Sequence, residues 1–128
     1  MRRATEQEKA KVLFDDEIWR LVSNGRSFDK EGFVFPESWD YLTETGNEVF
    51  ILSDNNQIHP NILNVTRGKA FWMIKRFLDW IDKNTDLPMV YAKIHKMHEN
   101  TIKLSKIGGF EEVDMINDRV ILVKRFER

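Results

Sequence analysis

The run from Ile58 to Phe110 constrains the fold of this 128-residue chain more than any other stretch. It reads as a short strand, the turn Thr66-Arg67-Gly68-Lys69, an amphipathic helix, a second strand, and a short helix that stops at Gly108-Gly109-Phe110. Ala70, Met73, Ile74, Phe77, Leu78 and Ile81 recur at the spacing of a helix that lays one face on a sheet. A helix opening directly after a strand points its unpaired N–H groups, and the positive end of its dipole, past the strand end. That order of elements makes a seat for an anion such as a pyrophosphate.

The flanking segments supply the rest of a sheet. Thr5-Glu6-Gln7-Glu8 has the form of a capping box, so a helix begins there, with Val12, Leu13, Ile18, Trp19, Leu21 and Val22 as its buried stripe. Asp15-Asp16 offers an alternative, the cap of a second, separate turn. A stop is expected near Ser23-Asn24-Gly25. Arg26 to Glu44 reads as an aromatic-rich connection with one helical turn at Pro36-Glu37-Ser38-Trp39. Its Phe28, Phe33, Phe35, Trp39 and Tyr41 either fold back onto the core or wall a substrate site.

Glu48 to Ser53 and Gln57 to Val65 form a hairpin around Asp54-Asn55-Asn56. Pro60 has no N–H for a ladder, so the second strand is expected to start after it or to bulge there. Met89 to Ile94 is apolar on both alternating sets, as a central strand covered on both faces would be. Glu111 to Ile116 and Arg119 to Phe126 close the chain as a hairpin around Asn117-Asp118. The basic end, Lys124 to Arg128, reads as a solvated edge strand. Trp72 and Trp80, at helical spacing, read as core or interface.

Composition excludes several classes. Hydrophobic residues at 41% and charged residues at 32% describe an ordinary globular chain, long enough for one domain over residues 1–128. A net charge of −1 gives no field toward nucleic acid or an anionic membrane. The absence of cysteine removes disulfides, thiolate metal sites and thiol catalysis. No apolar run has the length of a membrane span, and the N-terminus lacks a signal-peptide core, so a cytoplasmic protein is expected.

The C-terminal half resembles the acetyl-CoA-binding half of the GCN5-related N-acetyltransferases, the GNAT superfamily. In that family a strand runs into an Arg/Gln-x-x-Gly-x-Gly/Ala turn, followed by a helix, a strand and Asn-x-x-Ala-x-x-Leu-Tyr-x-x-x-Gly-Phe. The corresponding residues here are Arg67-Gly68-Lys69-Ala70-Phe71-Trp72 and the segment from His98 through Leu104 and Ser105 to Gly109-Phe110. The resemblance implies an α/β (α+β) domain with a mixed, mostly antiparallel sheet, helices on both faces and a C-terminal β-hairpin. It also implies acetyl transfer from acetyl-CoA to a small-molecule or protein amine by direct attack.

The same resemblance assigns roles. Leu63 and Val65 lie where backbone amides polarise the thioester, and Arg67, Gly68, Lys69 and Ala70 lie where the pyrophosphate is held. Two alignments of the turn stay open, one placing Trp72 and the other Val65 at a family position. His98 and Asn100 lie where the pantetheine arm is contacted, Asn100 being alternatively the cap of its helix. Ser105 stands where the family carries the tyrosine that acts as general acid; a serine hydroxyl ionises in no useful range. His59 and Glu48 are the candidate bases, and His95, His98 and Glu99 do not make a metal site. The rival reading is a small phage-type protein of this fold, in host cytoplasm or virion, without catalysis and acting as a structural or host-protein-binding module. A homodimer is the further expected partner arrangement.

Overall fold

The computed structural model describes residues 1–22, 30, 33–63 and 69–128, the side chains of 21 and 22 excepted. The expected helix stop at 23–25, Phe28, and Val65, Arg67 and Gly68 lie outside the described residues. The elements run β1 (Arg2–Arg3), α1 (Glu6–Leu13), α2 (Asp16–Val22), β2 (Asp40–Thr43), β3 (Glu48–Leu52), β4 (Ile58–Ile62), α3 (Ala70–Asn84), β5 (Met89–His95), α4 (Glu99–Ile107), β6 (Glu111–Ile116) and β7 (Arg119–Arg125).

Local chemistry explains most of these boundaries. The Thr5 hydroxyl accepts from the Glu8 N–H at 3.1 Å while the Glu8 carboxylate accepts from the Thr5 N–H at 2.9 Å, so the capping box starts α1. At Asp15 the second alternative holds: its carbonyl accepts from the Trp19 N–H at 2.7 Å and opens a separate helix. The end of α4 is a Schellman stop. Gly109 takes φ +101°, and the N–H groups of Gly109 and Phe110 donate to the carbonyls of Lys106 and Ser105. Asn117 and Asp118, both at positive φ, make the two-residue link of the last hairpin.

The strands form two sheets, ordered β1-β2-β3-β4 and β5-β7-β6, with every ladder antiparallel. Four features differ from the sequence expectations. β2 lies inside the stretch that reads as a connection; four residues are too few to show a period, and pairing with β1 and β3 makes it a strand. Pro60 neither ends nor bulges β4 but sits in register opposite Phe50. β5 is packed on one face only, where Val90 and Ala92 are buried, while Lys93 on the other face is exposed. β7, not β5, is the central strand of its sheet, and the edges are β5 and β6, the six residues of β6 all being exposed.

The main core lies under α3. Met73, Phe77, Leu78 and Ile81 meet Leu42, Phe50 and Leu52 of the first sheet together with Val90, Ala92, Val120 and Leu122 of the second, while Ile102 of α4 and Phe110 join the same cluster. A second cluster on the opposite face packs Val12, Leu13 and Ile18 of α1 and α2 against Tyr41, Val49 and Ile51. Helices therefore cover both faces of the first sheet. No helix among the described residues is long and apolar enough to cross a membrane.

Phe77 is fully buried at the centre of the cluster, its ring stacked on Phe50 at 5.1 Å. Phe77→Ala is expected to lower the unfolding free energy by about 4 kcal/mol, read by urea denaturation. A loss under about 1 kcal/mol would show that the cluster collapses around the cavity and does not depend on this ring.

Candidate functional site

The hydrogen bonding of the two sheets stops at one line, and the candidate site lies along it. β4 and β5 run parallel and meet at a single bridge, Gln57 with Tyr91, where the Tyr91 N–H donates to the Asn56 carbonyl at 3.0 Å. Past that point no ladder joins them among the described residues.

Each strand is committed elsewhere. β5 pairs with β7 over all its residues, and β4 pairs with β3 from Ile58 to Ile62. The Gln57 carbonyl accepts from Ser53 and the Leu63 N–H donates to Asn47, so odd-numbered residues bond β3. Ile58, Pro60 and Ile62 thus turn their main-chain groups toward the gap. Pro60 is tolerated because the N–H it lacks would have faced that gap. One assignment changes with this register: the Leu63 N–H is bonded to the Asn47 carbonyl, and Ile62 presents the amide on the gap side.

The open end of the gap is the end where α3 begins. Lys69 is its N-cap residue and makes no side-chain cap, and no acidic residue lies in its first turn. The other helices begin with carboxylates: Glu6 and Glu8, Asp16 and Glu17, and Glu99. The α3 start, with Lys69 and Ala70, therefore carries no carboxylate and no side-chain cap among the described residues, and its dipole can meet an external anion. A long ligand with an amide-bearing arm and a pyrophosphate fits this arrangement. The arm can pair with the gap-facing edge of β4 and the phosphates can meet α3.

The two candidate bases are sorted by the two faces of the sheet. His59 pairs with Ile51 and shares the α1–α2 face, half-buried, its ring stacked on Trp39 at 6.3 Å and 13°. Burial, and then the positive charge of Lys93 across the gap, push His59 below its ordinary pKa. It is therefore neutral near pH 7, with a ring nitrogen able to accept a proton. Asn61, on the same face, donates to the carbonyls of Val49 and His59 and holds this edge of β4.

Glu48 is on the other face and 0% exposed. Its carboxylate accepts from the Thr43 hydroxyl at 2.9 Å, the Glu44 N–H, the Thr45 N–H at 2.7 Å and the Thr45 hydroxyl at 2.6 Å. Burial alone would raise its pKa, but the bonds from Thr45, Glu44 and Thr43 outweigh it and hold the group below its usual range. The assignment of Glu48 as a base is corrected: it anchors the turn between β2 and β3. Neighbouring Glu44 then pairs with Arg76 of α3 at 2.8 Å.

The α4 residues stand past the end of β5, at the open end of the gap. His98, not Asn100, is the cap residue, with no side-chain cap of its own; Asn100 is the second residue of the helix, and both are exposed. The Ser105 hydroxyl donates to the Thr101 carbonyl within its own helix at 2.8 Å, so it is committed away from acid catalysis. The His95 and His98 rings lie 6.3 Å apart, and no cluster of three His, Asp or Glu among the described residues is able to hold a metal. Trp72 is 58% exposed on α3, while Trp80 packs at the edge of the core.

The Trp39 stack and the Lys93 charge are not visible in the sequence, since both residues lie far from His59 in the chain.

No family model and no curated protein matches the sequence. Solved structures match its shape. A chimera of the Vibrio cholerae spermidine N-acetyltransferase SpeG and hSSAT superposes with a TM-score of 0.68 at 16% identity, over 96% of this chain and 94% of that one. A second chimera of the same pair gives 0.59 at 15% identity, covering 86% and 75%. A point mutant of the Vibrio cholerae enzyme gives 0.57 at 15%, covering 86% and 74%. The chain has the GNAT fold.

Glu48→Gln replaces one acceptor of four hydrogen bonds by an amide that turns donors toward donors. A loss of about 3 kcal/mol is expected in chemical denaturation. Because the folded pKa is lowered, the stabilisation from Glu48 is present above about pH 4.3 and fades as pH falls toward the lower folded value. An unchanged midpoint in Glu48→Gln would show that the carboxylate does not hold the turn.

Proposed function

We propose that this chain is a single-domain N-acetyltransferase that uses acetyl-CoA and an amine acceptor. The observation that carries the reading is the gap between β4 and β5, closed at Gln57 and Tyr91 and open where uncapped α3 begins. Acetyl-CoA, when bound, supplies a thioester whose carbonyl carbon takes the amine nitrogen as its C–S bond breaks to the thiolate.

The chain's own groups divide the remaining work. Lys69, Ala70 and the first N–H groups of α3 hold the pyrophosphate, with Val65, Arg67 and Gly68 completing the turn in sequence. The main-chain groups of Ile58 and Ile62 align the pantetheine arm, and His98 and Asn100 stand at its outer end. His59, kept neutral by burial and by Lys93, takes the proton that the amine releases on attack. The spermidine named for the neighbouring structures makes an aliphatic amine one acceptor to try. A binding module of the same fold is the rival, and exposed Met97, Ile107, Met115 and Ile116 favour it.

Calorimetry with acetyl-CoA separates the two. Saturable binding is expected, and Lys69→Glu, which puts a carboxylate at the α3 start, is expected to weaken it by about tenfold or more without changing the circular dichroism. Absence of binding to the parent protein would favour the binding module.

The pH profile tests His59. The acid limb of kcat/KM is expected to have its midpoint below about 6.5, since a lowered pKa keeps the base neutral to lower pH. His59→Gln should cost about a hundredfold in rate and remove that limb. A limb unchanged in the variant would assign the proton to another group.

A further inference from the structure

Resting on the acetyl-transfer reading, we infer that the acceptor is an arylalkyl amine carrying one positive charge, seated in a cavity of about 520 Å³ between α1 and the segment leading into β2. That volume is within the range of small-molecule sites. Its walls are Phe14, Phe33, Phe35, Trp39 and Tyr41, with Glu37 beside them. The rings already form a connected set. Phe14 stacks on Phe35 at 5.3 Å, and Phe33 and Tyr41 meet Phe35 edge-on at 5.1 and 5.9 Å. Such a lining accepts another ring in stacked or edge contact.

The charges of the lining decide the kind of amine. Lys9 places its ammonium 4.4 Å over the Tyr41 ring and 2.8 Å from the Glu6 carboxylate, with its side chain only 16% exposed. Arg3 is paired with Asp40 at 3.0 Å. Both basic residues of the lining are thus neutralised, and Glu37 is the lining carboxylate without an ion pair among the described residues. A polyamine would bring several charges to one free acid flanked by two built-in cations. Among the described residues of the lining, an amine with one charge and an apolar ring meets one carboxylate free of an ion pair and five rings.

The same turn connects this seat to the base. Glu37 and Trp39 lie on one turn, in which the Trp39 N–H donates to the Pro36 carbonyl at 3.4 Å. Trp39 both lines the cavity and stacks on His59, and its indole N–H is fixed by Asp54 at 3.3 Å. The carboxylate that attracts the ammonium therefore belongs to the turn whose ring stacks on His59; the bound ammonium loses one proton to solvent before its nitrogen attacks, and His59 takes the second on attack.

The test titrates 2-phenylethylamine and spermidine into the parent protein and into Glu37→Gln, with and without acetyl-CoA, by calorimetry and tryptophan fluorescence. The expected result is a Kd for 2-phenylethylamine at least about tenfold below that for spermidine, and a further weakening of about tenfold in Glu37→Gln. Glu37 is exposed, so this variant keeps the fold. Equal or tighter binding of spermidine, no saturable binding of 2-phenylethylamine in either condition, or an unchanged affinity in Glu37→Gln would each overturn the inference. Acetyl-CoA binding is scored separately. Its absence beside intact amine binding would overturn the transferase reading and leave the cavity assignment standing.

Discussion

One hydrophobic cluster under α3 holds the two sheets together across the line where their hydrogen bonding stops. Phe77, Leu78 and Ile81 share one cluster with residues from both sheets, so apolar burial does what a ladder between β4 and β5 would otherwise do. At about 2 kcal/mol for each large side chain removed from water, the helix can hold the halves in place while the strands splay. Non-directional packing tolerates a gap, whereas a hydrogen-bonded ladder does not. The helix that closes the core also carries the acid-free start that follows β4 in the chain, so core and candidate site share one element.

Polar burial is organised around the opposite need. Glu48 is charged, enclosed and satisfied by four donors, and its neighbour Glu44 ties the same turn to α3 through Arg76. A carboxylate so surrounded stabilises a backbone conformation and is withheld from proton transfer. His59 lies on the adjacent strand with its side chain on the other face, half-buried and stacked on Trp39. The strand period of two, applied to paired strands, separates a structural acid from a candidate base.

The likeness to spermidine N-acetyltransferase structures at 15–16% identity concerns the backbone path. Fold and chemistry are distinct levels, and what bears on chemistry here is local: the acid-free start of α3, a neutral His59, and an aromatic cavity joined to it by Trp39.

The sequence alone determined the elements whose signals are local or periodic. The Thr5–Glu8 capping box, the α3 stripe from Met73 to Ile81, the Gly109 stop and the Asn117-Asp118 hairpin all follow from contacts within a few residues of each other, which local spacing encodes. Only the tertiary structure decided the rest. β1 and β2 are too short to show a period and exist because neighbours pair with them. Pro60 is harmless because its missing N–H faces a gap that no local rule announces. Glu48 and His59 carry equally plausible titrating groups in one dimension, and their roles diverge because folding buries one among donors and leaves the other beside Trp39 and Lys93. Charge, burial and ring stacking depend on residues distant in the chain, which is why the stacking of Trp39 on His59 and the charge of Lys93 beside it were not legible in the sequence.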